Sequence, residues 1–228
     1  FLTYFRNNIL HLYIIPSLVA CLVQQNGQIQ REQLVRVISS LYPYLQSELF
    51  LGFEPEEIEG LVNRHVDALS DFGLMSREDG LVNSPHPNTE AFAQLVVLGE
   101  AVKESMERYY MTITLLTQRG SGKIKQKQLE DLCSLLAQRL SVLYEFNSPE
   151  FFDKGIFRNF IETLKKVDFL RVDEEELLHF DQRLTAMATQ ANLVLRPEAL
   201  NTILHITSVS DEEIASAMSQ LEAKGKKK

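Results

Sequence analysis

The chain has 228 residues, 45% hydrophobic and 24% charged, ordinary proportions for a globular protein that buries one sizeable core or two small ones, and these argue against disorder. A formal net charge of −8 opposes general attraction to nucleic-acid phosphates or to an anionic lipid surface, so any such contact has to be local. The two cysteines, Cys21 and Cys133, sit inside apolar helical patterns, which argues against a disulfide framework and fits a reducing compartment.

Phe1 opens the chain without a methionine or a cleavable signal, so the sequence reads as a segment of a longer protein. No charged residue lies between Arg6 and Arg31. The apolar run from Ile9 to Val23 is shorter than the ~20 predominantly apolar residues a spanning helix needs. It carries His11, Pro16 and Ser17, so the expectation is a buried core helix kinked at Pro16, with an interfacial or spanning segment as the competing reading. That helix should end near Asn26-Gly27. A second helix follows, with Leu34, Val37, Ile38, Leu41, Leu45 and Leu49 on one face, and Pro43 should bend or divide it. Pro55, with Glu54, Glu56 and Glu57, marks a third helix running to about Phe72. Gly73 then introduces strand-like pieces from Leu74 to Ser76 and from Leu81 to Asn83 around Asp79-Gly80, a hairpin over 74–83 that makes a β-wing after three helices.

Pro85 and Pro87 break the chain before a long helix from about Thr89 to Thr117, and Arg119-Gly120-Ser121-Gly122 forms the next linker. A shift of 95 positions then pairs Gly27 with Gly122, Ile29 with Ile124, Leu34 with Leu129, Leu41 with Leu136, Leu45 with Leu140, Gly60 with Gly155 and Leu69 with Leu164. Ser148-Pro149 should open a helix whose Phe152, Ile156, Phe157, Phe160, Ile161 and Leu164 form a wide apolar stripe. Such a stripe is core, or failing that an acyl-chain or partner groove. Phe169 to Phe180 would be the second hairpin, around the acidic tip Asp173, Glu174, Glu175 and Glu176. Ser210 with Glu213 makes a capping box for a last short helix, and Lys224 to Lys228 a frayed tail. The expected fold is mainly α: tandem helical units, 1–118 and 119–228, each with a small winged-helix-like hairpin, near 74–83 and 169–180.

Chemistry is sparse. His65-Val66-Asp67 and His179-Phe180-Asp181 place polar groups two apart, on different faces of a helix, and no Cys-x-x-Cys or His-Glu-x-x-His pattern exists, so no metal or cofactor site is expected. Gly120-Ser121-Gly122-Lys123 lacks phosphate-loop spacing and reads as a flexible linker. Arg119, Lys123, Lys125 and Lys127 make the densest internal basic cluster, a solvated face or a contact for anionic headgroups or an acidic acyl carrier protein. Lys224, Lys226, Lys227 and Lys228 pose the same choice. Arg6, Asn7 and Asn8 open an otherwise apolar helix, as caps or as contacts to a preceding portion of the protein.

Three strings in order, LTYFRNNILH (Leu2 to His11), LYPYLQSELFL (Leu41 to Leu51) and AQRLSVLYEFNSPEFFDKGIFRNFIETLK (Ala137 to Lys165), make the chain resemble the C-terminal region of the bacterial membrane-bound glycerol-3-phosphate 1-O-acyltransferases. The resemblance weakens after about Leu170. It implies an enzyme that acylates sn-glycerol 3-phosphate from acyl-CoA or acyl carrier protein, at the cytoplasmic face of the inner membrane, with a histidine and an aspartate in an H-x-x-x-x-D motif. That motif is absent: the fifth residue after His65 is Ser70 and after His205 is Ser210, each with its aspartate (Asp71, Asp211) one place too far, and His11, His86 and His179 fail more plainly. By the resemblance, the catalytic portion precedes Phe1, no residue here carries the reaction, and the partners are that portion and the membrane surface.

Two other classes stay open on the residues alone. Three helices and a hairpin also make a nucleic-acid-reading unit. Against it, Glu56, Glu57, Glu59, Asp67 and Asp71 on the third helix would repel phosphates, and Lys154, Arg158, Lys165 and Lys166 in the second unit are balanced by Asp153, Glu162 and Asp168. A helical protein-interaction scaffold would use the same aromatic stripe.

Overall fold

The computed structural model of the chain describes residues 2–49, 51–143 and 152–208. Helix α1 (Leu2–Asn26) passes through Pro16 as one helix. From Ile14 to Val23 every residue is buried, as expected of a helix apolar on all sides. It packs along α4 (Glu90–Arg119), closely at Gly99, where an added Cβ would lie 3.3 Å from Cys21 Cα. The expected core therefore covers Ile14 to Val23 of the apolar run, while Leu12 and Tyr13 within it are exposed. No helix among the described residues is long and apolar enough to cross a membrane.

After Gly27, with φ of +69°, comes a strand absent from the sequence expectation, β1 (Gln28–Gln30). A three-residue strand with one apolar side chain gives no period to read. Helix α2 (Arg31–Leu49) is undivided at Pro43, because Tyr42, Tyr44 and Leu45 are buried around it and their packing outweighs the hydrogen bond a proline forfeits. The 3-10 turn Pro55–Glu57 leads into α3 (Ile58–Asp71), and Glu54 N–H donates to Glu57 Oε2 at 2.8 Å in a capping box.

Helix α3 closes in a Schellman motif: Leu74 N–H donates to Leu69 O and Gly73 N–H to Ser70 O, both at 2.9 Å, with Gly73 at φ +74°. Leu74 is thereby taken up by the helix end, so the hairpin starts later than its sequence suggests, as β2 (Ser76–Glu78) and β3 (Leu81–Asn83). Asp79 and Gly80, at φ +49° and +79°, supply the left-handed pair that a two-residue hairpin loop requires. The sheet order is β1-β3-β2, antiparallel, with buried Ile29 opposite buried Val82.

Thr89 caps α4 by accepting from Phe92 N–H at 3.2 Å, and the helix ends at Gly120. Helix α5 (Gln126–Leu143) and α6 (Lys154–Lys166) follow. Asp153 caps α6 through Gly155 N–H at 2.7 Å; the expected start at Ser148-Pro149 lies outside the described residues, as does the capping box of Ser210 and Glu213. Helix α6 ends as α3 does, with Phe169 N–H donating to Leu164 O and the left-handed place taken by Asp168 at φ +59°. The second hairpin, β4 (Arg171–Val172) with β5 (Leu178–His179), lies inside the expected 169–180. Gly122 N–H donates to Leu178 O and Leu178 N–H to Ile124 O, so segment 122–125 flanks β5 as β1 flanks β3. Gly122, 95 places from Gly27, has a φ of +71°.

Helices α7 (Gln182–Gln190) and α8 (Pro197–Thr207), joined through the 3-10 turn Ala191–Leu193, pack on α4. The buried residues form one continuous cluster across the described chain. Of the expected apolar stripe, Phe157, Phe160, Ile161 and Leu164 of α6 are buried, Ile156 of α6 is half-buried, and Phe152, also half-buried, precedes the helix, so the stripe is core.

Candidate functional site

Arg119 is the last residue of α4, Lys123 and Lys125 are exposed on the segment that leads into α5, and Lys127 is exposed in the first turn of α5. This segment runs beside the second hairpin, whose acidic tip meets it: Lys125 Nζ lies 3.2 Å from Glu176 Oε2. Arg6, Asn7 and Asn8 fall in the first half of α1, where only the backbone is described; the terminal lysines lie outside the described residues.

Next to the basic segment is a polar cavity of about 200 Å³, lined by Ser121, Asp168, Arg171, His179, Asp181 and Arg183, with Phe169 and Phe180 as walls. Asp168, at the left-handed end of α6, accepts two hydrogen bonds from Arg171, both at 2.9 Å. Arg183 donates to both oxygens of Asp181 at 3.1 and 3.0 Å and to the Asp168 carbonyl at 2.6 Å, and lies 5.1 Å from the Phe169 ring centre. Ser121 Oγ donates to Phe180 O at 3.1 Å and accepts from Phe180 N–H at 2.9 Å. His179 Nε2 lies 2.7 Å from Asp173 Oδ2. Hydrogen bonds from Arg171 hold the Asp168 carboxyl below the usual range, the Arg183 N–H does so for Asp181, and His179 for Asp173.

The cavity therefore joins α6, the hairpin and α7 electrostatically. Each arginine already faces a carboxylate, so an incoming phosphate would have to displace one, and the three aspartates are held ionised rather than poised as acids. Sequence reasoning missed Arg171 and Arg183. The signal that could have found them is their spacing from Asp168 and Asp181, three and two places away.

Nothing else described is arranged for acid–base or nucleophilic work. Burial pushes the thiols of Cys21 and Cys133 up to about 12. His65 is half-buried, with its pKa lowered by burial, and His86 and His205 are exposed. Among the described residues no group of three or more His, Cys, Asp or Glu could hold a metal ion. An apolar cleft between α2, α4 and α7, floored by Tyr44, Met106, Tyr109 and Met187, has a volume of about 50 Å³, room for a few water molecules rather than an acyl chain. On the first hairpin Arg77 is paired with Asp67 and Asp71, and Arg31 with Asp67 at 3.0 Å, so these two cations are neutralised, while Glu56, Glu57 and Glu59 stay exposed and outnumber the exposed Arg64 of α3. That surface repels a phosphate backbone.

One buried carboxyl has no hydrogen bond or ion pair among the described residues. Glu107 on α4 is 5% exposed, and burial pushes its pKa from 4.5 up to about 7, with Glu100 and Glu104 adding to the rise and Lys103 and Arg108 opposing it. A raised folded-state value means that the neutral form's contribution is complete below pH 4.5 and lost as pH climbs through about 7. Glu107→Gln should therefore raise the thermal midpoint at pH 8, by the equivalent of about 3 kcal/mol, and leave it unchanged once the pH is well below 4.5. Melting curves of both proteins across that range check this; a pH-independent difference would show that ionisation of Glu107 is not the cause.

The family model described as the glycerol-3-phosphate acyltransferase C-terminal region matches residues 1–173. Among curated proteins, the chain is 38% identical to a glycerol-3-phosphate acyltransferase of Pseudomonas fluorescens strain Pf-5 over 222 residues, 97% of this chain and 26% of that protein. It is 38% identical over 218 residues to the enzyme of that name from Pseudomonas aeruginosa PAO1, and 40% identical over 190 to that of Ectopseudomonas mendocina, covering 95% and 83% of this chain but 26% and 23% of theirs. The chain spans about a quarter of the length of the curated relatives it matches. A match through most of the chain, in a region whose described residues hold core packing and paired charges, identifies it as a member of the glycerol-3-phosphate acyltransferase C-terminal region family.

Proposed function

We propose that this chain is the non-catalytic C-terminal portion of an enzyme that transfers an acyl group from acyl-CoA or acyl carrier protein to sn-glycerol 3-phosphate, giving 1-acylglycerol 3-phosphate for phospholipid synthesis. The observation that carries this is the match of nearly the whole chain to only a quarter of each relative, with no H-x-x-x-x-D motif inside it. In this reading the region braces the preceding catalytic portion and helps seat the enzyme at the cytoplasmic face of the inner membrane. Lys123, exposed on the segment before α5, and Lys127, exposed in the first turn of α5, are its contacts for anionic headgroups or an acidic carrier protein. Residues 1–118 and 119–228 are two related units, a reading supported by the matching left-handed Gly27 and Gly122 and the matching ends of α3 and α6.

The test compares the full-length enzyme, the same enzyme ending before Phe1, and the 228-residue region, each assayed for acylation of glycerol 3-phosphate and for partition to membranes. Activity is expected only in the first. Turnover by the region alone, or full activity and unchanged membrane partition in the shortened enzyme, would overturn the reading.

A further inference from the structure

Helix α1 is enclosed from Ile14 to Val23, yet the two residues just before that stretch are large, apolar and open: Leu12 is 63% exposed and Tyr13 50%. Adjacent positions on a helix point about 100° apart, so the pair presents a broad front rather than one seam. We infer that this front on α1 is the docking surface for the portion of the polypeptide that precedes the chain, an inference resting on the proposed function above.

Two observations select that occupant. The relatives are about four times as long as the segment they share with this chain, which matches a C-terminal region, so the remainder joins at the leading end of α1. Charge argues against a bilayer as the alternative: the net charge is −8, and α1 has a single lysine or arginine, Arg6, where the polar face of an interfacial helix is rich in both. Leucine and tyrosine without charge, continuous with a buried helix, suit a packed protein interface whose aromatic residue anchors it.

The experiment uses the full-length enzyme in its membrane, with a photo-crosslinking amino acid in place of Leu12 or Tyr13 and the products mapped by mass spectrometry. Crosslinks within one chain, to the portion before Phe1, are expected. Crosslinks to lipid, crosslinks between isotopically distinct copies, or none would each overturn the inference. In the same enzyme, Leu12→Glu with Tyr13→Glu should lower activity about tenfold or more, as loss of an interface anchor does. Val97→Glu, altering a 74% exposed apolar residue of α4, should leave activity within about twofold, as surface changes do. Equal activity in the two variants would also count against the surface. If the unaltered full-length protein fails to acylate glycerol 3-phosphate, the proposed function falls instead, whatever the crosslinks show.

Discussion

Phe160→Ala is expected to destabilise the chain by about 3–5 kcal/mol, the range for emptying a phenylalanine site in a packed core. Phe160 is 4% exposed, and its ring stacks on Tyr109 with centroids 4.3 Å apart and planes 8° from parallel. Tyr44 meets the same ring edge-on at 5.4 Å. One side chain of α6 thus touches α2 and α4 together, and alanine would leave a void bordered by two tyrosines whose backbones are fixed by long helices. Aromatic pairs contribute about 0.5–1.5 kcal/mol beyond their buried area, which puts the loss toward the upper part of the range. Urea unfolding should show a lower midpoint with an unchanged slope. A loss under about 1 kcal/mol would mean that the helices close over the site and that Phe160 is not a keystone of this packing.

Glu48→Ala should cost about 3 kcal/mol through a different mechanism. The Glu48 carboxylate, with its side chain 10% exposed, accepts from Arg108 at 2.5 Å, from Ser105 Oγ at 3.0 Å and from the Tyr109 hydroxyl at 2.6 Å, and Arg108 is itself 6% exposed. Burial, reinforced by the Glu48 charge, raises the Tyr109 pKa well above its ordinary value, so the phenol stays a donor. Removing the carboxylate withdraws the shared acceptor from a buried guanidinium and a buried hydroxyl, and desolvation makes each expensive. Replacing both charges, as Glu48→Leu with Arg108→Met, should cost less than Glu48→Ala alone, because no buried guanidinium is then deprived of this carboxylate. Denaturation of the single and double variants checks this. A double variant less stable than the single would show that the ion pair itself stabilises the fold.

Both sites lie in or against the stretch that most strongly carries the family resemblance, and this clarifies what that stretch does. The run from Ala137 to Lys165 contributes Phe157, Phe160, Ile161 and Leu164 to the core, and Arg158 to an ion pair with buried Glu130 at 3.0 Å. Its residues identify a family of acyltransferases and here serve as packing.

Much of the fold was legible because its signals are local. Gly27, Gly73, Asp79-Gly80 and Gly120 mark turns through backbone freedom within one or two residues, and Thr89 caps α4 three residues ahead of its partner. The three-and-four spacing found the buried Phe157, Phe160, Ile161 and Leu164 of α6 and the buried Leu34, Val37, Ile38 and Leu45 of α2, but there Leu41 and Leu49 are half-buried and the buried Tyr42 and Tyr44 were missed. Where reading failed, a nonlocal interaction outweighed the local signal. Pro43 can divide a free helix but sits in an undivided one held by buried tyrosines, Leu74 looked like strand but closes α3, and β1 exists only because β3 lies beside it. The polar cavity was equally hidden, since Arg183 meets Asp168 from 15 residues away.

By itself the sequence determined a helix-rich chain with two hairpins, the absence of the catalytic motif and the family resemblance, because composition, period and turn chemistry act over a few residues. Only the tertiary structure decided that α1 is enclosed from Ile14 to Val23 while Leu12 and Tyr13 stay open, and that Glu48 shares its charge with Arg108, 60 residues away. It also decided that the aromatic stripe of α6 closes on Tyr44 and Tyr109. Those choices depend on which surfaces exclude water together, and that is fixed when the helices pack.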